Sequence, residues 1–193
     1  MSSTGRPKGE YRSAQREGTS LSSARPPLAL AVQYGVASTT LPGPVALRRW
    51  ARAAADGAAT VTLRFVGKRE GQTLNALYRG KEYATNVLAF LYDAAKIEGD
   101  IVLCAPVVRE EARAQCKTLA DHCAHLVVHG MLHLQGYDHD TVRAARTMEA
   151  RETAILATLG VPDPYEQPPR SLRSLPLAGA RSALRTAAQL TKR

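Results

Sequence analysis

Hydrophobic and polar residues alternate in short segments of the first half of the chain, as they do in β-strands. In residues 60–66, Val61, Leu63 and Phe65 are separated by polar residues, which is the two-residue period of a strand with one buried face. Apolar runs of strand length also occur at residues 28–32, 86–92 and 99–104. These four segments predict a small β-sheet.

Helical segments lie between these strands and fill the second half of the chain. Residues 43–57 are predicted to form a helix, because Pro44 suits a first helical turn and Gly57 follows the apolar stripe. Further helices are predicted at residues 70–80, 106–115, 118–136 and 141–160. Because most strands precede most helices, we expect an α+β fold in which a small mixed sheet packs against several helices.

The charge of the chain divides it into three parts. The net charge is +9, from 26 Lys and Arg against 17 Asp and Glu, in a chain of 193 residues. We expect residues 1–27 to form a disordered basic extension, residues 28–165 a folded domain, and residues 166–193 a basic tail. The two ends carry almost all of the net charge. Basic ends suggest contact with a polyanion such as nucleic acid, but solubilising ends are an equal alternative, since neither contains a sequence-reading motif.

The three cysteines and the absence of a long apolar run bear on location. Cys104, Cys116 and Cys123 are odd in number and lack metal-finger spacing, so we expect free thiols in a reducing compartment. No apolar run approaches the roughly 20 residues that a membrane helix needs, and no hydrophobic signal core is present at the N-terminus. We therefore expect a cytoplasmic protein that does not span a membrane.

A cluster of histidines in residues 129–139, "HGMLHLQGYDH", is the main chemical signal. On a helix, His129 and His133 lie one turn apart on one face, about 5–6 Å from each other, which suits two ligands of one metal ion. Gly136 can take the left-handed conformation that ends a helix, and His139 can then supply a third ligand. Three histidine ligands leave an open position, as in catalytic zinc sites. Ordinary core or surface histidines are the alternative interpretation.

The neighbours of this cluster qualify the prediction. The same spacing occurs in zinc proteases, but Gly130 stands where those enzymes carry a catalytic glutamate. His122 and His125 precede the cluster on the same helical face, and we expect packing or supporting roles for them rather than metal ligation. Asp138 and Asp140 flank the third histidine and could orient a ligand ring, although solvated surface charges would look the same.

Several segments together resemble the YbeY family of bacterial ribosomal RNA maturation proteins. They are "LNALYRGKEYATNVLAF" at residues 74–90, "GDIVLC" at 99–104, the histidine motif, and "LGVPDPY" at 159–165. The family is regarded as metal-dependent endoribonucleases specific for single-stranded RNA. The resemblance implies one zinc ion per chain, held by His129, His133 and His139, and a functional arginine at Arg79.

The resemblance also implies partners and has limits. It implies action on ribosomal RNA, in maturation of the 16S 3′ end and in ribosome quality control, with the ribosome or its small subunit as partner. Glu82 stands where the family usually has aspartate, Ala89 where it has serine, and residues 91–98 form a shorter connection than expected. The resemblance ends near residues 28 and 165, so it implies nothing about the two basic ends or the oligomeric state.

Two other functions remain open at this point. The histidine spacing would also suit a metal-dependent peptidase, although Gly130 weakens that interpretation. The protein could also be a non-catalytic ribosome-associated factor, in which the metal organises the end of the helix and the basic ends hold RNA.

Overall fold

The structure, a computed structural model, describes residues 27–93 and 96–166. Residues 1–26 and 167–193 lie outside the described residues, and with them lie nearly all of the predicted basic extension and basic tail. The division into a folded domain of residues 28–165 and two basic ends therefore stays a prediction.

Four strands form one mixed sheet. They are β1 (Leu28–Tyr34), β2 (Ala59–Val66), β3 (Val87–Asp93) and β4 (Ile97–Cys104), in the spatial order β1-β2-β4-β3. β2 is parallel to both β1 and β4, whereas β3 is antiparallel to β4. All four predicted strands are present. β4 begins two residues earlier than predicted, because its pairing with β2 continues through Ile97 and the polar Glu98.

Five helices accompany the sheet, which confirms the expected α+β fold. They are α1 (Pro44–Ala54), α2 (Lys68–Arg79), α3 (Ala105–Ala114), α4 (Leu119–His133) and α5 (Val142–Thr158). None of these helices in the described part of the chain has the length and apolar character needed to cross a membrane.

Helix α1 ends earlier than the sequence predicts. Its last residue is Ala54, three residues before Gly57, and Ala55 closes the helix in an extended conformation. Gly57 is not among the glycines with positive φ, so it does not end the helix in the left-handed conformation. Gly80 and Gly160, in contrast, adopt left-handed φ of 65° and 74°, at the first residue after α2 and the second residue after α5.

The main core lies between one face of the sheet and helix α4. Val61, Leu63 and Phe65, the alternating apolar residues of β2, are buried on this face. Helix α4 is buried on most of its surface, because α1, α3 and α5 pack around it while the sheet covers another side. Thr118 caps the N-terminus of α4, because its side-chain oxygen accepts a hydrogen bond from the backbone N–H of Asp121. The histidine-bearing helix is therefore the central helix of the domain.

The cysteines are free thiols, as expected from their number and spacing. Cys104 and Cys123 are buried and Cys116 is exposed. Burial raises the pKa of both buried thiols, that of Cys123 to about 12, so neither is a reactive thiolate at neutral pH.

Candidate metal centre

Two histidines at the end of α4 lie side by side. His129 and His133 are one turn apart, and their Nε2 atoms are 3.0 Å from each other. After the helix ends, Gly136 adopts a left-handed φ of 83°, and the chain reverses. This turn brings back His139, so that ring nitrogens of the three histidines lie within 4.8 Å of one another. The structure therefore brings the three predicted metal ligands together.

The uncharged state of His133 at neutral pH favours binding of a cation at this cluster. Burial, followed by repulsion from His129 and His139 when those rings are protonated, lowers the pKa of His133 to about 4. At neutral pH its ring is therefore uncharged and keeps a nitrogen lone pair. His139 is exposed, whereas the other two histidines are partly buried, so the cluster opens to solvent on one side. A neutral nitrogen donor in a histidine cluster with one open side suits a catalytic metal site.

Arg79 lies at the same cavity as the histidines. It is the last residue of α2, where Gly80 ends the helix in the left-handed conformation. A cavity of about 130 Å³ is lined by Arg79 together with the three histidines and with four residues just before and within the start of β3, namely Thr85, Asn86, Val87 and Ala89. Arg79 is far from the histidines in sequence, and the fold brings the predicted arginine and the predicted ligands to one cavity. Ala89, a departure from the family pattern, also lines it.

Gly130 also lines this cavity, and at this residue helix α4 passes very close to the sheet. A Cβ atom built on Gly130 would lie 2.9 Å from Cγ2 of Ile101, a fully buried residue of β4. A glutamate at this position would require the helix to move away from the strand. The absence of the protease glutamate therefore has a packing cause.

A residue that the sequence reasoning did not identify, Glu152 of α5, lies directly behind the histidines. Its side chain has 0% exposure. Oε1 of Glu152 is 2.7 Å from Nδ1 of His129, and Oε2 is 3.0 Å from Nε2 of His125. The hydroxyl of Tyr165 also donates a hydrogen bond to Oε2. One buried carboxylate therefore holds a predicted ligand, a second histidine and the segment after α5.

The ionisation of Glu152 follows from these contacts. Burial by itself raises the pKa of this carboxyl group, but its hydrogen bonds to the two histidines and to Tyr165 outweigh burial and lower the pKa to about 2. A signal for this residue exists in the sequence. Glu152 lies four residues after Met148 and three before Ile155, on the buried stripe of α5, where a charged residue needs a partner.

The two remaining histidines of α4 have carboxylate partners. Nε2 of His122 is 2.9 Å from Oε2 of Glu111 in α3, and the side-chain amide of Asn86 donates to the same carboxylate. His125 shares Glu152 with His129, as described above. Their expected supporting roles agree with these contacts, although ligation itself stays a prediction for every histidine.

Asp138 stabilises the loop that carries the third histidine. Its Oδ1 atom accepts a hydrogen bond of 2.6 Å from the backbone N–H of His139. This contact orients the backbone of the loop, whereas the two interpretations from the sequence were a contact with the ring of a ligand and a solvated surface charge.

Comparison with known proteins identifies the family. The sequence model of the family described as "Endoribonuclease YbeY" matches residues 46–160. A protein named "Endoribonuclease YbeY" from Aromatoleum aromaticum is 54% identical over 142 residues, which cover 72% of this chain and 92% of the relative. The chain belongs to the YbeY family.

A second relative agrees with this membership. The YbeY protein of Bordetella avium is 52% identical over 158 residues, covering 75% of this chain and 98% of its own length. The sequence model and these two relatives confirm the family resemblance seen in the sequence. The motifs at residues 74–90, 99–104 and 129–139 lie inside the matched range, as do the first two residues of the motif at 159–165. A solution structure of a Thermotoga maritima protein is similar to this chain with a TM-score of 0.49 and 22% identity, over 71% of this chain and 99% of that protein.

Proposed function

We propose that this YbeY protein is a zinc-dependent endoribonuclease that cleaves single-stranded RNA during ribosomal RNA processing. The observation that carries the proposal is the cavity that unites Arg79 with His129, His133 and His139 in a chain of this family. Relatives at 52% and 54% identity bear the name of an endoribonuclease, and an endoribonuclease acts on RNA. Enzyme class and substrate class follow from that kinship, and zinc from the donor set.

The donor set fits zinc. Three imidazole nitrogens converge within 4.8 Å, and His133 is uncharged at neutral pH. Three neutral nitrogen ligands plus one open position are the ligand pattern of catalytic zinc. When bound there, zinc supplies a Lewis acid for the phosphoryl oxygens and activates water near neutral pH.

Arg79 supplies the second positive group of the cavity. A guanidinium can donate two parallel hydrogen bonds to phosphoryl oxygens, and it stays charged at every physiological pH. At this position it would bind the scissile phosphate and stabilise the negative charge that develops during cleavage. Gly80, in the left-handed conformation, ends α2 directly after Arg79 and so places the arginine at the C-terminal end of the helix.

The biological setting of the reaction is part of the proposal. Action at the 3′ end of 16S rRNA, a role in ribosome quality control, and binding to the small ribosomal subunit are supported by family membership. The strongly positive ends of the chain, outside the described residues, also suit a polyanionic partner. A cytoplasmic location would follow from this setting.

One experiment separates the three candidate functions. Zinc-loaded protein is incubated in parallel with single-stranded RNA and with casein, and a chelator-treated sample serves as control. We expect RNA cleavage, no casein cleavage, and loss of activity on chelation that zinc restores. Casein cleavage without RNA cleavage would establish the peptidase instead. Intact RNA together with full ribosome binding would establish the non-catalytic factor.

A further inference from the structure

Glu152 connects the proposed metal centre to the interior of the domain. Each carboxylate oxygen has its own partners: Oε1 lies 2.7 Å from Nδ1 of His129, while Oε2 lies 3.0 Å from Nε2 of His125 and accepts the Tyr165 hydroxyl. Its side chain is completely buried between α4 and α5. Neither the family motifs nor the histidine spacing assigns any role to this residue.

The negative charge of this buried carboxylate needs a positive partner. Among the ion pairs of residues 27–93 and 96–166, Glu152 is joined to His125 and His129 and to no lysine or arginine. Burying a carboxylate without a cationic partner is costly in solvation free energy. A histidine that ligates a metal is a neutral imidazole, so His129 adds no positive charge when it serves as a ligand. On the Oε1 side of Glu152, the positive charge would then come from the metal ion behind His129, while His125 contacts Oε2.

The hydrogen bond also determines which nitrogen of His129 is free. When Nδ1–H donates to Glu152, the other nitrogen, Nε2, carries the lone pair. That atom faces Nε2 of His133 at 3.0 Å, on the side of the cavity. The carboxylate contact therefore selects the ring tautomer and the ring orientation that metal binding requires.

We propose that Glu152 is a positioning residue of the metal centre: it fixes His129 in its metal-binding tautomer and supplies the buried negative charge that complements the ion. This inference rests on the proposed metal centre and deepens it. His125 and Tyr165 act one step further out, because they hold Oε2 and thereby keep Oε1 aimed at His129. The segment after α5 thus supports the site from behind through Tyr165.

A purely structural role is the competing explanation, since Glu152 also ties α5 to α4. The two roles differ in what a neutral replacement changes. If Glu152 only ties the two helices together, its replacement lowers the melting temperature and leaves the zinc affinity of the folded protein unchanged. If Glu152 is a positioning residue, its replacement changes the zinc affinity itself, at temperatures where wild type and variant are both folded.

The test compares Glu152→Gln with a matched control, Glu111→Gln. Glutamine nearly preserves the shape, and His125 can shift its proton to its unpartnered Nδ1 atom to suit the new amide. Glu111 makes a similar contact, 2.9 Å, to His122, which belongs to the same helix and is not a proposed ligand. Zinc affinity of full-length protein is measured by competition with a chromophoric chelator, which requires no RNA and no activity, and melting curves are recorded without zinc.

We expect Glu152→Gln to weaken zinc binding by about 10- to 100-fold, the usual effect of removing a carboxylate behind a histidine ligand. Glu111→Gln should stay within about twofold of wild type, because neither of the residues that it contacts, His122 and Asn86, is a proposed ligand. If the glutamine variant does not fold, Glu152→Asp serves in its place, since the shorter carboxylate keeps the charge but withdraws from His129. Tyr165→Phe should give a smaller loss of zinc affinity than either Glu152 variant.

The outcomes separate this inference from the proposed function. Wild-type zinc affinity in folded Glu152→Gln or Glu152→Asp would overturn the positioning role while leaving the metal centre intact. Equal losses in the Glu152 and Glu111 variants would also overturn it, because the effect would then be general. A wild-type protein without measurable zinc binding would overturn the metal centre and the inference together.

Discussion

At the scale of single residues, His129 has a close partner at each of its two ring nitrogens. Its Nδ1 atom is held by the buried Glu152 at 2.7 Å, and its Nε2 atom faces Nε2 of His133 at 3.0 Å. His122 is instead paired with Glu111 of α3 and lies outside the cavity that the proposed ligands line. Histidines of one helix thus differ in environment because different elements contact them.

The first prediction concerns zinc content. His133→Ala should lose most of the bound zinc, because two remaining imidazoles cannot hold the ion in competition with water and chelators. His122→Ala is the matched control and should keep about one zinc per chain. Elemental analysis of both purified variants checks this. An unchanged zinc content in His133→Ala would refute the ligand assignment.

The second prediction concerns Arg79. Arg79→Ala should keep its zinc and its fold but lose RNA cleavage by roughly 100- to 1,000-fold, as expected when one preorganised donor is removed from developing charge. Arg79→Lys should recover little, because a point charge does not replace a planar group with paired donors. Single-turnover cleavage of a labelled RNA measures both. Wild-type rates in the alanine variant would show that the arginine takes no part in catalysis.

At the scale of elements, the contact between α4 and β4 sets the position of the histidines. Gly130 lies between His129 and His133 in sequence, and it lets the helix approach Ile101 of the sheet. A methyl group at Gly130 would lie 2.9 to 3.2 Å from three carbon atoms of that isoleucine. The close approach therefore holds the ligand-bearing turn against the rigid sheet.

The third prediction follows from this contact. In an exposed helix, Gly→Ala stabilises by about 1 kcal/mol. Gly130→Ala should instead destabilise the protein, by about 1–3 kcal/mol, because the added carbon overpacks against Ile101, a fully buried residue of β4. The effect should largely disappear in an Ile101→Ala background, which removes the atoms in conflict. Urea denaturation of the four proteins in this cycle measures the coupling, and additive effects would contradict the packing argument.

At the scale of the whole molecule, charge is distributed very unevenly along the chain. Residues 1–26 hold five Lys and Arg against two acidic residues, and residues 166–193 hold six against one. The remaining residues hold fifteen against fourteen. The proposed catalytic groups therefore lie in a nearly neutral part of the chain, and most of the net positive charge that could attract RNA over a distance lies at the two ends.

The fourth prediction concerns these ends. If they bind RNA phosphates, a truncated protein of residues 28–165 should bind RNA more weakly and with a flatter dependence on salt, by about 0.7 in the log–log slope for each phosphate that is no longer neutralised. It should still cleave RNA at saturating concentration, because the four proposed catalytic and ligand residues lie within it. Titrations at several salt concentrations test this. The full-length slope in the truncated protein would show that the ends do not bind the nucleic acid.

The sequence by itself determined the local features of this protein. The two-residue period of β2, the lack of proline and of glycine other than Gly130 in α4, and the glycines after α2, α4 and α5 predicted these elements to within a few residues. The spacing of His129, His133 and His139 predicted their convergence, because a helical turn and one left-handed glycine are local geometry. The motifs also identified the YbeY family, which the matched range confirms.

Only the tertiary structure decided which distant residues join the histidines. Glu152 is 23 residues from His129 and contributed by another helix, and its position on a buried stripe did not reveal its partner. The requirement for Gly130 depends on Ile101 across the α4–β4 interface, and Arg79 reaches the cavity from the end of α2. Periodicity specifies which face of an element is buried, whereas the packing of elements determines what that face contacts.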